Sequence, residues 1–147
     1  MSYIEEIGRV GRDANPFFQL MGIDIGDYGK GMAELFMTVR PDMHNGAGWL
    51  QGGLYTALGD EAMALALFTV LDKETAIATI SECTSFLRGV KSGRIRAAGE
   101  VVKRGRSVAF MRVRISSEAG EALAESTASF AIFPSKKTAN GFKDGPA

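Results

Sequence analysis

The stretch over residues 45–71, NGAGWLQGGLYTALGDEAMALALFTVL, sets the tightest limit on what this chain can become. A glycine-rich turn leads into a segment that is apolar on nearly every side, interrupted by the adjacent acids Asp60 and Glu61. A helix apolar all round belongs inside a protein or a membrane. The unbroken apolar run, residues 62–71, is too short for a bilayer crossing, which takes about 20 residues. Burial within protein is therefore expected. An ionisable pair in such a helix is unfavourable unless it is partnered or used in chemistry.

The flanking sequence says what buries it. Residues 2–21 place Ile4, Ile7, Val10, Phe17, Phe18 and Leu20 at helical spacing around a break at Asn15-Pro16. Asn can cap a helix there and Pro can fill its first turn. Gly22 ends the segment. Residues 23–27 and 32–40 flank Tyr28-Gly29-Lys30-Gly31. In the second arm Ala33, Leu35, Met37 and Val39 alternate with Glu34, Phe36 and Thr38, the pattern of a hairpin. Residues 41–51 form a loop, and the helix runs from Gly52 to about Leu71.

Four strand-like runs follow, at 76–89, 93–103, 107–117 and 121–133; Met111, Val113 and Ile115 alternating with Arg112 and Arg114 show the period. The short separators Lys91-Ser92-Gly93, Arg104-Gly105-Arg106 and Glu118-Ala119-Gly120 each predict an antiparallel hairpin. Residues 135–147 are expected to form a mobile tail, and 1–147 to make one domain. The expected architecture is α+β: a curved antiparallel sheet wrapped around one long central helix. Leu54, Leu58, Leu65 and Leu71 cannot all face one sheet together with Tyr55, Met63, Leu67 and Phe68. A second copy of the helix alongside would cover the remainder, which predicts a dimer.

Charge and cysteine content remove several function classes. Seventeen basic residues balance 17 acidic ones with no long Lys/Arg run, so nucleic acid is not the expected partner. The N-terminus, MSYIEEIGRVGRD, is mixed in charge and lacks the apolar core of a signal peptide. A cytoplasmic protein off the membrane is expected. One cysteine, Cys83, and one histidine, His44, offer neither a disulfide framework nor a metal-ligand set.

The order Asn45-x-x-Gly48-x-x-Gln51-Gly52-Gly53, followed by Leu58-Gly59-Asp60-Glu61-Ala62, resembles the signature of hotdog-fold acyl-CoA thioesterases. The branch it is most similar to is the phenylacetate-degradation type, with the pattern N-x-x-G-x-x-H-G-G and an acid seven residues past the second glycine. The element order fits as well, so the resemblance covers nearly the whole chain. Two departures stand out. Gln51 occupies the place of the usual His, and Ala64 occupies a place where other relatives carry Ser or Thr. The phenylacetate-type relatives use a hydroxyl on the following strand instead, matched here by Thr79 and, next, Ser81.

The resemblance implies hydrolysis of a thioester to a carboxylic acid and free coenzyme A. Gly52, at the helix start, offers an N–H to the developing oxyanion, and glycine lets a substrate approach closely. Asn45 adds a side-chain donor or orients water. Asp60 attacks the thioester or activates water. Asp60 lies eight residues beyond Gly52, roughly 12 Å along a helix at 1.5 Å per residue. Both groups must reach one reacting centre, so two antiparallel helices from different subunits are needed. The resemblance implies the same shared site.

Other residues have more than one use. Glu61, about 100° round the helix from Asp60, suits a structural or inter-subunit ion pair and is the substitute if Asp60 is silent. His44 suits a loop contact to backbone, and Cys83 a core or interface position. Gln51 can donate a hydrogen bond as a neutral histidine can, but it cannot carry a proton. Gly53 continues the approach surface, while Trp49 and Tyr55 line an acyl pocket or pack in the core. Arg88, Lys91, Arg104 and Arg106 lie at strand ends. Each singly suits a solvated surface, and at least one of Arg88, Lys91 or Arg106 is expected on coenzyme A phosphates. No metal or redox cofactor is implied, coenzyme A being part of the substrate. The expected partners are an acyl-CoA or acyl-carrier thioester and further copies of the chain, as a homodimer or dimer of dimers. The reading from another class is a non-hydrolytic acyl-CoA-binding protein on the same fold. A hydratase or dehydratase ranks last, because such sites show an Asp/His pair.

Overall fold

The computed structural model describes residues 1–135. Its frame is a six-stranded antiparallel sheet with strand order β1-β2-β4-β5-β6-β3. The strands are β1 Asp24–Gly29, β2 Met32–Thr38, β3 Thr75–Phe86, β4 Arg94–Arg104, β5 Val108–Ser116 and β6 Ala122–Pro134. Helix α3, Gly52–Phe68, lies across one face, and α1, Tyr3–Val10, and α2, Pro16–Met21, precede the sheet. Among the described residues no helix is long and apolar enough to cross a membrane.

Local chemistry accounts for the N-terminal elements. Ser2 and Glu5 form a reciprocal capping box on α1. Asn15 Oδ1 accepts from the N–H groups of Phe17 and Phe18 to start α2 behind Pro16. Gly22 closes α2 in the left-handed region (φ 66°). The β1–β2 turn is tighter than expected: Tyr28 and Gly29 belong to β1, and only Lys30 and Gly31 turn, both with positive φ. That is the twist a two-residue hairpin requires.

The Thr69 hydroxyl donates to the Ala66 carbonyl and accepts from the Gly31 N–H, at 2.7 and 2.8 Å. This double bond pins the end of α3 to the hairpin turn. The helix therefore stops at Phe68 rather than running on to Leu71.

The largest departure from expectation is the path between β3 and β4. Lys91-Ser92-Gly93 does not close a hairpin, because β3 pairs with β6 at one edge while β4 lies between β2 and β5. The connection is the longer segment 87–93. Leu87 and Arg88 donate to the Leu123 carbonyl, Leu50 donates to Val90, and Val39 donates to Gly93. These bonds lead the chain past the loop before α3 to the far side of the sheet. Alternation along a strand reports which face is buried, not which neighbour it pairs with.

The core lies between sheet and helix. Leu35 and Met37 of β2, Ile95 and Ala97 of β4, Met111 and Ile115 of β5, and Phe130 of β6 are buried against Leu58, Ala62, Met63, Leu65 and Leu67 of α3. Contact is closest at Gly99, where an added Cβ would lie 2.7 Å from the Ala62 carbonyl group. The other flank of α3 meets the N-terminal helices, with the Tyr3 and Phe68 rings 5.1 Å apart. Those helices do part of the covering that had been assigned to a second copy of α3. The side of α3 left partly open carries Gly53, Thr56, Ala57, Asp60 and Ala64, which are small or polar. Ser135, first residue of the expected tail, donates its N–H to the Glu74 carbonyl; the rest of that tail lies outside the described residues.

Candidate active site

Asp60 sits on the partly open side of α3, and its Oδ1 accepts a 2.7 Å hydrogen bond from the Thr79 hydroxyl of β3. The bond depends on a β-bulge. In the pairing of β3 with β6, Thr79 lies opposite Phe130 and Ser81 opposite Ser129, so Ile80 is the extra residue. Glu82 and Thr84 face the helix by the even positions; beyond the bulge the odd positions, Thr79 and Ile77, take over. Ser81 lies on the other face, its hydroxyl 3.2 Å from that of Ser129. The bulge thus selects Thr79 over Ser81.

Three carboxyls gather around this point. Burial pushes the Asp60 carboxyl above its usual range, and the Thr79 hydroxyl partly restrains it. Burial, then the charge of Asp60, pushes Glu61 up to about 7, against the Asn15 amide 3.2 Å from Oε2. That amide also donates to the Tyr3 hydroxyl, so Glu61 points to the N-terminal helices and away from Asp60's neighbour on the sheet. Burial, then Asp60, likewise raises Glu82 to about 7, with Ser126 opposing. Asp60 therefore ionises first, and its charge keeps protons on both neighbours.

A stability consequence follows with a definite sign. Between pH 4.5, the ordinary glutamate value, and about 7, the native protein holds protons that the unfolded chain has released. Stability contributed by Glu61 and Glu82 is full below that window, falls as pH rises through it, and is absent above. The melting temperature should be higher at pH 5 than at pH 8, and Glu61→Gln should flatten the slope. A wild-type melting temperature that climbs steadily from pH 5 to 8 would contradict it.

Asn45 and Gln51 shape the entry to α3. Asn45 Oδ1 accepts from the N–H groups of Ala47 and Trp49 at 2.9 and 3.2 Å, folding the loop on itself. Gln51 precedes the helix without capping it. Its side chain bends back over Gly53, where a Cβ would meet Oε1 at 2.7 Å. No side chain caps the first turn, and those donors keep their positive dipole end. The Phe86 ring lies beside Gly52, 3.4 Å from where a Cβ would stand, and is largely exposed.

The remaining candidates scatter. Tyr55 is buried in the core, its hydroxyl donating to the Arg88 carbonyl at 3.3 Å, so it lines no open pocket within the chain. Its para-hydroxyl needed only one backbone acceptor, and the 87–93 crossover supplies it. Trp49 is half exposed, backed by Gly89, with the Lys91 ammonium 4.4 Å from its ring centre. Arg88 pairs with Glu121 at 3.3 Å. Arg106 lies with Arg104 and Lys73 by residues 72–75, past the C-terminal end of α3 and far from Gly52. His44 is 2.7 Å from the Lys91 carbonyl oxygen, the expected backbone contact. Cys83 is exposed on the sheet's outer face rather than in the core. It borders a cleft of about 450 Å³ with Ser85, Arg112, Arg114, Glu125 and Thr127. Sequence reading missed Glu82 and Phe86; the even-numbered alternation of Glu82, Thr84 and Phe86 was the available signal.

Residues 47–124, more than half of the chain, match the family model described as the thioesterase superfamily. The chain belongs to the thioesterase superfamily. The fold is similar to a Haemophilus influenzae thioesterase, with TM-score 0.79, 22% identity, and 85% of this chain and 87% of that one covered. A Thermus thermophilus protein is 30% identical, with TM-score 0.73 over 80% of this chain and 97% of its own. In sequence, the 1,4-dihydroxy-2-naphthoyl-CoA hydrolase of Listeria monocytogenes is 22% identical over 119 residues, covering 81% of this chain and 97% of the relative. The curved sheet around one helix is thus the hotdog fold, and the superfamily's chemistry is thioester hydrolysis.

Proposed function

We propose that this thioesterase-superfamily chain is an acyl-CoA thioesterase of the phenylacetate-degradation type, working as a homodimer with Asp60 as the nucleophile or general base. The observation that carries the reading is the Asp60–Thr79 bond, eight residues along α3 from an uncapped glycine start. In the water route, an O–H proton passes to the Asp60 carboxylate while the water oxygen bonds to the thioester carbonyl carbon. The carbonyl electron pair moves onto oxygen, where N–H groups at Gly52 receive it. Collapse of that adduct breaks the C–S bond, and the departing thiolate takes the proton from Asp60. In the direct route Asp60 makes the same bond itself, and water then hydrolyses the mixed anhydride.

A second copy supplies what one chain cannot, since eight residues place Gly52 and Asp60 roughly 12 Å apart. Strand β3 runs 12 residues at the sheet edge with one side unpaired, which invites another strand. The open side of α3 beside it carries small residues that permit close approach. A two-fold pairing there sets Gly52 of each chain toward Asp60 of its partner. The naphthoyl-CoA named for the Listeria relative supports coenzyme A as the carrier.

The test is thiol release across aliphatic and aryl acyl-CoAs, followed by mixing of two inactive variants, Asp60→Ala and Gly52→Val. Equal refolded mixtures should regain about a quarter of wild-type turnover, because half of the dimers are heterodimers and each of those contains one intact site of two. Mixed dimers that stay inactive would refute the shared site. Tight acyl-CoA binding with no turnover on any substrate would favour the binding-protein reading that Gln51 and Ala64 suggest.

A further inference from the structure

Among the described residues, Glu82 Oε2 is the buried side-chain atom left without a hydrogen-bond partner. Native proteins rarely leave such an atom unpaired without a use for it. Glu82 lies opposite Ala128 of β6 and faces α3. It lies beside Gly59: a Cβ there would stand at ordinary contact, 3.5 Å, from Oε2, and only 2.9 Å from Val113 of β5. Gly59 immediately precedes Asp60. On the other side, the hydroxyls of Thr56, Thr84 and Ser126 form a chain with 2.8 Å links, which fills the polar seam between α3, β3 and β6.

The groups facing Glu82 are few. Asp60 comes from α3 and the Ser126 hydroxyl from β6, while Val113 and Ile115 of β5 bring only apolar surface. Glu61 is turned to Asn15. None of the ion pairs among the described residues includes Asp60, Glu61 or Glu82.

We propose that Glu82 is a positioning residue of the thioester site, forming with Asp60 a carboxyl pair whose proton count sets how strongly Asp60 attacks. The proposal rests on the reading of Asp60 as the attacking group. Two carboxylates in a poorly hydrated seam do not ionise independently. Asp60, held by Thr79, ionises first, and its charge adds to burial in holding the proton on Glu82. The coupling is reciprocal. Once Glu82 also loses its proton, Asp60 binds a proton more strongly, and its carboxylate becomes a better base and nucleophile. Near neutral pH the pair passes from one charge to two, and the reactivity of Asp60 rises with it.

The test combines carboxyl carbon NMR titration of the resting protein with the pH profile of kcat/KM, for wild type, Glu82→Gln and Thr84→Val. The wild-type Asp60 signal should show two inflections, the upper near pH 7, matched by a second rise in kcat/KM. Glu82→Gln should shrink the upper inflection and the second rise to the part that Glu61 contributes, and fall several-fold in kcat above pH 7 with KM unchanged, whereas Thr84→Val should keep both at wild-type size. An Asp60 titration unaltered by Glu82→Gln would overturn the pairing. Loss of the second rise in Thr84→Val would overturn it too, showing packing rather than charge at work. Turnover that survives Asp60→Asn would remove the attacking group and with it this role; the NMR coupling, read without substrate, keeps that failure distinct.

Discussion

Asp60→Asn is expected to lower thioester turnover by about 10²- to 10⁴-fold, or roughly 3–5 kcal/mol of barrier, while leaving the fold intact. The amide oxygen can still accept the hydrogen bond that Thr79 donates, so the geometry between α3 and the bulge of β3 survives. What is lost is the negative charge. An amide neither takes a proton from water nor attacks a carbonyl carbon at useful rates. Removing that charge also relieves Glu61 and Glu82, whose carboxyls it pushes up. The variant should therefore melt no lower than wild type at pH 8, and somewhat higher if the relief is felt. Thiol-release kinetics beside calorimetry checks both parts. Near wild-type kcat would remove Asp60 from the chemistry, and a collapsed melting temperature would assign it to structure.

Gly99→Ala should cause a marked loss of stability by forcing α3 away from the sheet. The added Cβ would meet the Ala62 carbonyl carbon and oxygen at 2.7 Å and the Met63 nitrogen at 2.9 Å, against about 3.4 Å for ordinary contact. These are backbone atoms of α3, which cannot rotate aside as a side chain would. The helix must lift from β4 by several tenths of an ångström. Overpacking of this kind costs about 1–3 kcal/mol, or roughly 2–12 °C in melting temperature at this chain length. The lift begins two residues from Asp60, and errors near 1 Å in a catalytic group can cost about 10²-fold in rate. Turnover should fall with stability. Gly46→Ala, with open space around the new methyl group, is the control. Equal melting temperatures for the two variants would mean that α3 is not held at this distance.

Much of the arrangement was legible because it depends on neighbours in sequence. The Asn15-Pro16 start of α2, the Gly22 stop, the β1–β2 hairpin and the glycine entry to α3 all follow from local backbone chemistry. Asp60 stood out because an acid amid apolar helix residues needs a reason. Glu61 was legible only as a structural group: it meets the Asn15 amide, not the ion-pair partner expected of it. The crossover of 87–93 was not legible, since strand pairing depends on partners far along the chain. The short separator 91–93 resembled its two true hairpin counterparts.

By itself the sequence determined that a buried helix would begin at Gly52 and that an antiparallel sheet would hold it, and it singled out Asp60 and the glycine helix start as the candidate site. The helix and sheet rest on periodicity and composition carried by nearby residues, and the candidate site on the motif resemblance. Only the tertiary structure decided which hydroxyl reaches Asp60, because one unpaired residue, Ile80, switches the face of β3 and turns Thr79 inward. It alone revealed Glu82, whose unpartnered oxygen arises from a strand and a helix meeting across Gly59. Contacts between separate elements depend on register, and register is settled by packing the whole sheet at once.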